Sequence, residues 1–261
     1  MEWTTEYLVR WFLVVVRISG LLLAAPFWGM AFYPGRVRLL LAFGLGLFFA
    51  AQAPGSSGAE LSALLSSSYV TTLLSIAREF LVGLCLGFAG RLLFEGIRMA
   101  GDFAGVQIGL GLANVFDPTA QEQGNVLAQF WFLLATLMFL LLDGHHLYMR
   151  ALSFSFALIP LGGAVMPDTG LFLRLATGMF AIGLQLAAPF WVVMLLLDAL
   201  MALYSRLAPQ SNIFLLSLSL KVLVGLLLAW LLVPMLFQAI PLVLERLDDW
   251  LERILAGLAP R

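Results

Sequence analysis

Residues 69–103 read YVTTLLSIAREFLVGLCLGFAGRLLFEGIRMAGDF. The run is far longer than the roughly 20 apolar residues that cross a bilayer, and it carries Arg78, Glu79, Arg91, Glu95, Arg98 and Asp102 within it. The rest of the chain is equally apolar. Of 261 residues, 62% are hydrophobic and 11% charged, with a mean hydropathy of +1.01. Soluble domains carry about 25% charged residues, and one of this length cannot hide so much apolar surface. The composition defines an integral membrane protein with a single domain. A net charge of −1 argues against a nucleic-acid partner. One cysteine, Cys85, allows no disulfide framework and reads as a buried, inert thiol. The first apolar run is interrupted by Arg17 and lacks a small-residue cleavage site, so no cleavable signal peptide is expected.

Working outward, six apolar spans are predicted: about 8–30, 37–53, 69–103, 122–142, 171–200 and 213–240. Residues 54–68, PGSSGAELSALLSSS, read as a loop with a short surface helix. Residues 143–168 read as too broken for a clean span and suited to an interface. SRLAPQSN at 205–212 is a tight polar turn that makes the last two spans a helical hairpin. At the end, Val243, Leu244, Leu247, Trp250, Leu251, Ile254, Leu255 and Leu258 recur at spacings of three and four. Glu245, Arg246, Asp248, Asp249, Glu252 and Arg253 fill the other face of this amphipathic helix. Its acids match or outnumber its bases, so packing on protein is favoured over anionic lipid. Arg36, Arg38, Arg98 and Arg206 favour an outward N-terminus, whereas Arg150, Arg174, Arg246, Arg253 and Arg261 favour the reverse. Charge bias therefore fixes no orientation.

Ionisable residues at membrane depth need a partner or a wet surface. Arg91, Glu95, Arg98 and Asp102 share one helical face, expected to be buried as a salt-bridge ladder against protein or to line an aqueous path. Arg78 and Glu79 are expected to form a local pair. Asp198 and Lys221 lie about two turns either side of the SRLAPQSN bend and are expected to face each other across the hairpin, as a structural pair or a subunit contact.

Catalytic motifs are weak. GSSG at 55–58 matches the pattern that would make Ser57 a nucleophile with His145 or His146 as its base, but it lies in a polar connector. Adjacent histidines on a helix point about 100° apart. His145 and His146, even with Asp143 nearby, therefore read as interfacial hydrogen-bonding groups rather than metal ligands. GLG at 109–111 is no dinucleotide loop, because position 114 is Asn and no strand precedes it. No enzyme, cofactor or metal is expected.

The segment 105–125, GVQIGLGLANVFDPTAQEQGN, should not form a good helix: Gly105, Gly109 and Gly111 loosen it and Pro118 stops it. Irregular backbone at membrane depth must be buried in protein or line a cavity. A transporter's ion-coordinating break would carry carboxylates and hydroxyls. This one offers Val106, Ile108, Leu110, Leu112, Val115 and Phe116, with polar groups bunched at 117–125. An apolar, glycine-rich loop suits a gate, and Asp117-Pro118 or Thr119 is expected to cap the next helix. A stand-alone secondary transporter is the alternative.

The sequence resembles the R-subunit family of flagellar type III protein export gates, and the related T subunits of injectisomes, over essentially the whole chain. The resemblance is carried by RISGLLLAAPFWG (17–29), PGRVRLLLAF (34–43), REFLVGLCLGF (78–88), the 105–125 loop with its FDPT, LDGHHLYMRAL (142–152) and RLAPQSNIFLLSLSLK (206–221). DGHH favours the flagellar branch. The chain has Ser219 where the family often has Pro. The resemblance implies a non-catalytic subunit in the bacterial inner membrane at the flagellar basal body. It would join P and Q subunits in a ring, beside the A and B subunits of the export apparatus. It further implies a P-like part over about 1–165, a Q-like hairpin over about 168–240 and an amphipathic tail at 241–258. Exported flagellar proteins would pass through the ring, and about 105–124 would plug it: Gly105, Val106, Ile108, Gly109, Leu110, Gly111, Asn114, Val115, Phe116, Asp117 and Pro118. Asp198, Arg206, Pro209 and Lys221 are the expected subunit contacts. Subunits of such gates are lifted largely out of the bilayer plane, so six spans need not mean six crossings.

Overall fold

A computed structural model describes residues 2–28, 34–52, 69–110, 125–163, 169–210 and 212–259. Among them the chain is all-α, with eight helices: α1 (Glu2–Ala24), α2 (Gly35–Gln52), α3 (Tyr69–Ile108), α4 (Val126–Leu141), α5 (Gly144–Leu158), α6 (Thr169–Leu207), α7 (Ile213–Leu231) and α8 (Val233–Leu258). Three helices are long and apolar enough to cross a membrane. The count rises to five if α4 with α5, and α7 with α8, each form one broken span. Among the described residues, three to five of the six predicted spans therefore meet this test. The first span stops at Ala24 rather than near 30, because Pro26 has no N–H to donate and disfavours helical geometry at the residue before it. The stretch after Asp143 is an orderly helix, α5, rather than broken interfacial chain. The last span bends by 50° at Leu232, just before Pro234, instead of running to 240.

The chain divides into two compact units. The first comprises residues 1–92, 142–176 and 244–261, and the second 93–141 and 177–243. In the first unit, Val14, Ile18, Leu21 and Leu22 of α1 are buried, as are Val82, Leu86 and Ala89 of α3 and Tyr148, Leu152 and Phe156 of α5. The two long helices come very close. A Cβ on Gly83 would meet the backbone carbonyl of Arg17, and one on Gly20 would meet that of Phe80. Small residues at such crossings let helix backbones touch. The distal half of α8 belongs to this unit. Leu247, Leu251, Ile254, Leu255 and Leu258 are buried while Glu245, Arg246, Asp249, Glu252 and Arg253 are exposed. The amphipathic helix thus packs on protein, and the protein is its own chain.

That close approach encloses a charge. Arg17 has 0% and Glu79 2% of its side chain exposed, and Arg17 Nε donates to Glu79 Oε2 at 2.7 Å. Arg17 Nη1 donates to Ser155 Oγ at 3.1 Å, and Nη2 to the Ile159 carbonyl at 3.0 Å. Phe156 lies under the guanidinium, 4.6 Å from its ring centre. The other Glu79 oxygen accepts the Gly162 backbone N–H at 2.8 Å. The expected local pairing of Glu79 with Arg78 is therefore replaced by one spanning 62 residues. The cause is steric: Glu79 faces α1, and Arg78 points elsewhere at half exposure.

In the second unit, Leu93, Phe94, Ile97 and Ile108 of α3 are buried with Trp131 and Phe139 of α4 and Phe190 of α6. Phe94 meets Phe139 edge-on at 5.4 Å, and Trp131 meets Phe190 at 5.6 Å. Leucines at 195, 196, 200 and 203 on α6 and at 223, 226 and 227 on α7 stay exposed, with Trp230. So much contiguous apolar surface belongs against lipid or another chain.

Removing one member of a buried pair costs about 3–5 kcal/mol, whereas replacing both by apolar residues is often close to neutral. Glu79→Leu should therefore prevent accumulation of folded protein, and Arg17→Met with Glu79→Leu should restore much of it. Yield and thermal unfolding in detergent check this. A double variant as unstable as Glu79→Leu alone would mean that the pair itself is indispensable.

Candidate functional site: the anchored ends of the 105–125 segment

The helix α3 does not stop where its glycines begin. Gly105 to Ile108 form its last turn, so these residues are not loop as expected. One glycine inside a helix costs about 1 kcal/mol. Burial of Ala104 and Ile108 offsets it, Ile108 lying against Gly225 of α7. Ile108 is thus a core residue of the second unit rather than part of a movable plug. Val106, on the other side of the turn, is 70% exposed.

The stop is Gly109, whose φ of 90° is the left-handed conformation that glycine adopts most cheaply. Its N–H donates to the Val106 carbonyl at 3.1 Å, and the Leu110 N–H donates to the Gly105 carbonyl at 3.0 Å. This pair of reversed bonds is a Schellman cap. It closes the helix.

The far end returns to the same place. Asn125 Nδ2 donates to the carbonyls of Gly101 and Asp102 at 3.1 and 3.2 Å. Its Oδ1 accepts the Leu127 N–H at 3.0 Å, which makes Asn125 the cap of α4. One side chain thus binds the last turns of α3 and opens α4. A Cβ on Gly105 would fall on the Asn125 side chain, so glycine is required there for contact rather than for looseness. The cap expected at Asp117-Pro118 or Thr119 falls outside the described residues; the cap of α4 is Asn125. Its signal in the sequence was position alone, at the end of the polar stretch. Gly111, Asn114, Val115, Phe116, Asp117 and Pro118 lie outside the described residues, as does Ser57.

The other predicted residues divide. Arg91, Glu95, Arg98 and Asp102 do lie along one side of α3, but this chain does not bury them. Arg91 and Arg98 are exposed, Glu95 and Asp102 half-buried, and Glu95 reaches Arg98 at 3.8 Å, the outer limit of an ion pair. No ladder forms because that face looks away from the neighbouring helices. Asp198 and Lys221 meet across the α6–α7 hairpin at 2.6 Å, as expected. Asn212 caps α7, accepting from the Leu215 N–H at 3.5 Å, and Arg206 and Pro209 are exposed at the bend.

A helical membrane protein with so many uncovered apolar residues on α6 and α7 has the character of an assembly component. Sequence comparison makes this specific: the chain belongs to the bacterial export proteins, family 1, whose model matches residues 8–247. It is similar to the flagellar biosynthetic protein FliR of Aquifex aeolicus, with 31% identity over 88% of this chain and 87% of that protein. The FliR of Pectobacterium carotovorum is 30% identical over 99% and 96%, and that of Escherichia coli 30% over 90% of each. The chain is a membrane component of flagellar export.

Loss of an N-cap side chain costs about 1 kcal/mol, up to roughly 2. Asn125→Ala also removes the two bonds to α3, so a loss at or above the upper figure is expected. Hydrogen exchange should accelerate at Leu127 and at the carboxyl end of α3 while α1 and α8 are unchanged. Uniform exchange across the protein would refute the local anchoring.

Proposed function

We propose that the chain is a non-catalytic pore subunit of the flagellar type III export gate. It joins P and Q subunits in a ring in the bacterial inner membrane at the basal body, beside the A and B subunits, and its segment from Gly109 to residue 124 helps seal the conduit for unfolded flagellar proteins. The observation that carries this is the double anchorage. The segment leaves α3 through the Gly109 cap and returns to it through Asn125, so both its ends are fixed. A seal needs fixed ends and an apolar middle. Leu112, Val115 and Phe116 supply the middle, and each Å² of apolar area they cover is worth about 25 cal/mol against opening. The uncovered leucines of α6 and α7 fit neighbouring subunits.

The helical end at Ile108 fixes how the seal is tested, because a deletion that starts at 106 would remove core. Leu112→Ser, Val115→Ser and Phe116→Ser together leave the described helices intact. Cells carrying the triple variant should assemble the gate in normal amount and leak ions across the inner membrane. A tight membrane around a fully assembled gate would put the seal elsewhere. A transporter working alone would instead purify as a monomer or small homo-oligomer.

The Asp198–Lys221 pair serves assembly on this reading. A half-exposed pair is worth only about 0–1 kcal/mol within one chain. Lys221→Ala should therefore leave the isolated chain's stability nearly unchanged yet lower the yield of assembled ring, and Lys221→Arg should not. Equal, normal ring yields for both would remove the hairpin from the contact surface.

A further inference from the structure

The break between α4 and α5 brings together three side chains that the export reading does not use. One ligating atom from each of Asp143, His145 and His146 lies within 4.8 Å of the others. The adjacent histidines do not diverge as expected; their ring centres are 4.2 Å apart and the planes tilt by only 37°. Asp143 sits just before α5 in the left-handed conformation, φ 57° and ψ 28°, which is uncommon for a non-glycine residue. An aspartate at a helix start ordinarily caps it. This one makes no capping hydrogen bond, and its carboxylate lies over His146.

We propose that Asp143, His145 and His146 form a binding site for a divalent transition metal, zinc above all. Three features point there. His146 Nδ1 and Asp143 Oδ1 are 3.5 Å apart, long for a hydrogen bond. Two ligands on a tetrahedral zinc, each about 2.0–2.1 Å from the ion, stand about 3.3 Å apart. The pair is thus already spaced as neighbouring ligands. Second, His145 Nδ1 is buried without a hydrogen-bond partner, a state in which a buried polar atom is rarely left. A metal ion bound through that nitrogen would satisfy it. Third, two imidazoles and a carboxylate are a donor set that zinc takes, with a fourth position left for water or a partner's side chain. The Asp143 and His146 side chains are 71% and 63% exposed, so an ion reaches the site from water without unfolding. Bound there, it locks the left-handed turn and the first turn of α5.

The test uses the complete gate complex, purified without a histidine tag, stripped with chelator and titrated with zinc chloride against a fluorescent competitor. One zinc per copy of this chain should bind. Asp143→Asn and His146→Ala should each weaken binding at least tenfold. Cobalt(II) should give visible d–d absorption in the wild-type complex that is lost in His145→Ala with His146→Ala. If the double variant does not assemble, Asp143→Asn, which keeps size and fold, decides alone. Zinc binding equal in wild type and Asp143→Asn, or no zinc above background in the wild type, overturns the proposal.

Discussion

A guanidinium with none of its surface in contact with solvent sits between α1, α3 and α5, and the first unit is arranged around it. Transferring such a group out of water is tolerable only if its charge is paired and each of its nitrogens finds an acceptor. Arg17 finds a carboxylate, a hydroxyl and a backbone carbonyl, and the carboxylate's second oxygen holds the turn at Gly162. The requirement fixes rotation as well as contact. If α1 turned by one residue about its axis, the guanidinium would leave Glu79, so the helices have one register. Gly20 and Gly83 make the short reach possible by letting the backbones touch at the level of the charge.

The anchored segment obeys a similar logic in the second unit, with weaker bonds. Helix α3 ends in a cap that satisfies its own carbonyls, and Asn125 takes two of those just before it. Burial of Ile108 against Gly225 keeps the last turn from fraying. Both ends of the segment are thus fixed on α3.

The sequence disclosed what rests on periodicity. The all-helical fold, the two faces of α8 and the Asp198–Lys221 pair follow from spacings of three and four, or from equal distances either side of a turn. What it concealed rests on long-range geometry. Glu79 has Arg78 beside it in the chain and Arg17 beside it in space, and only packing says which prevails. Gly105 reads as a breaker because propensity counts its entropy cost; the buried Ile108 three residues on and the Asn125 contact outweigh that cost. The charged side of α3 was expected to be buried because it lies within an apolar run, yet this chain alone leaves it largely uncovered. Asn125 was missed because a polar residue in a polar stretch carries no pattern.

The length of α3 has a consequence for how the protein comes into being. Forty residues at 1.5 Å each make a rod of about 60 Å, twice the roughly 30 Å of oil in a bilayer. To lie wholly within that layer it would have to lean by about 60°, when helices in membranes lean by about 20°. Upright, about half of its length stands beyond that layer, and at its start Tyr69, Val70, Leu73 and Leu74 are left uncovered by this chain. A newly synthesised copy is therefore a misfit in both phases until companions cover it. Binding that favours only the folded form stabilises by mass action, so the copies a cell retains depend on the concentration of those companions as well as on synthesis of this chain.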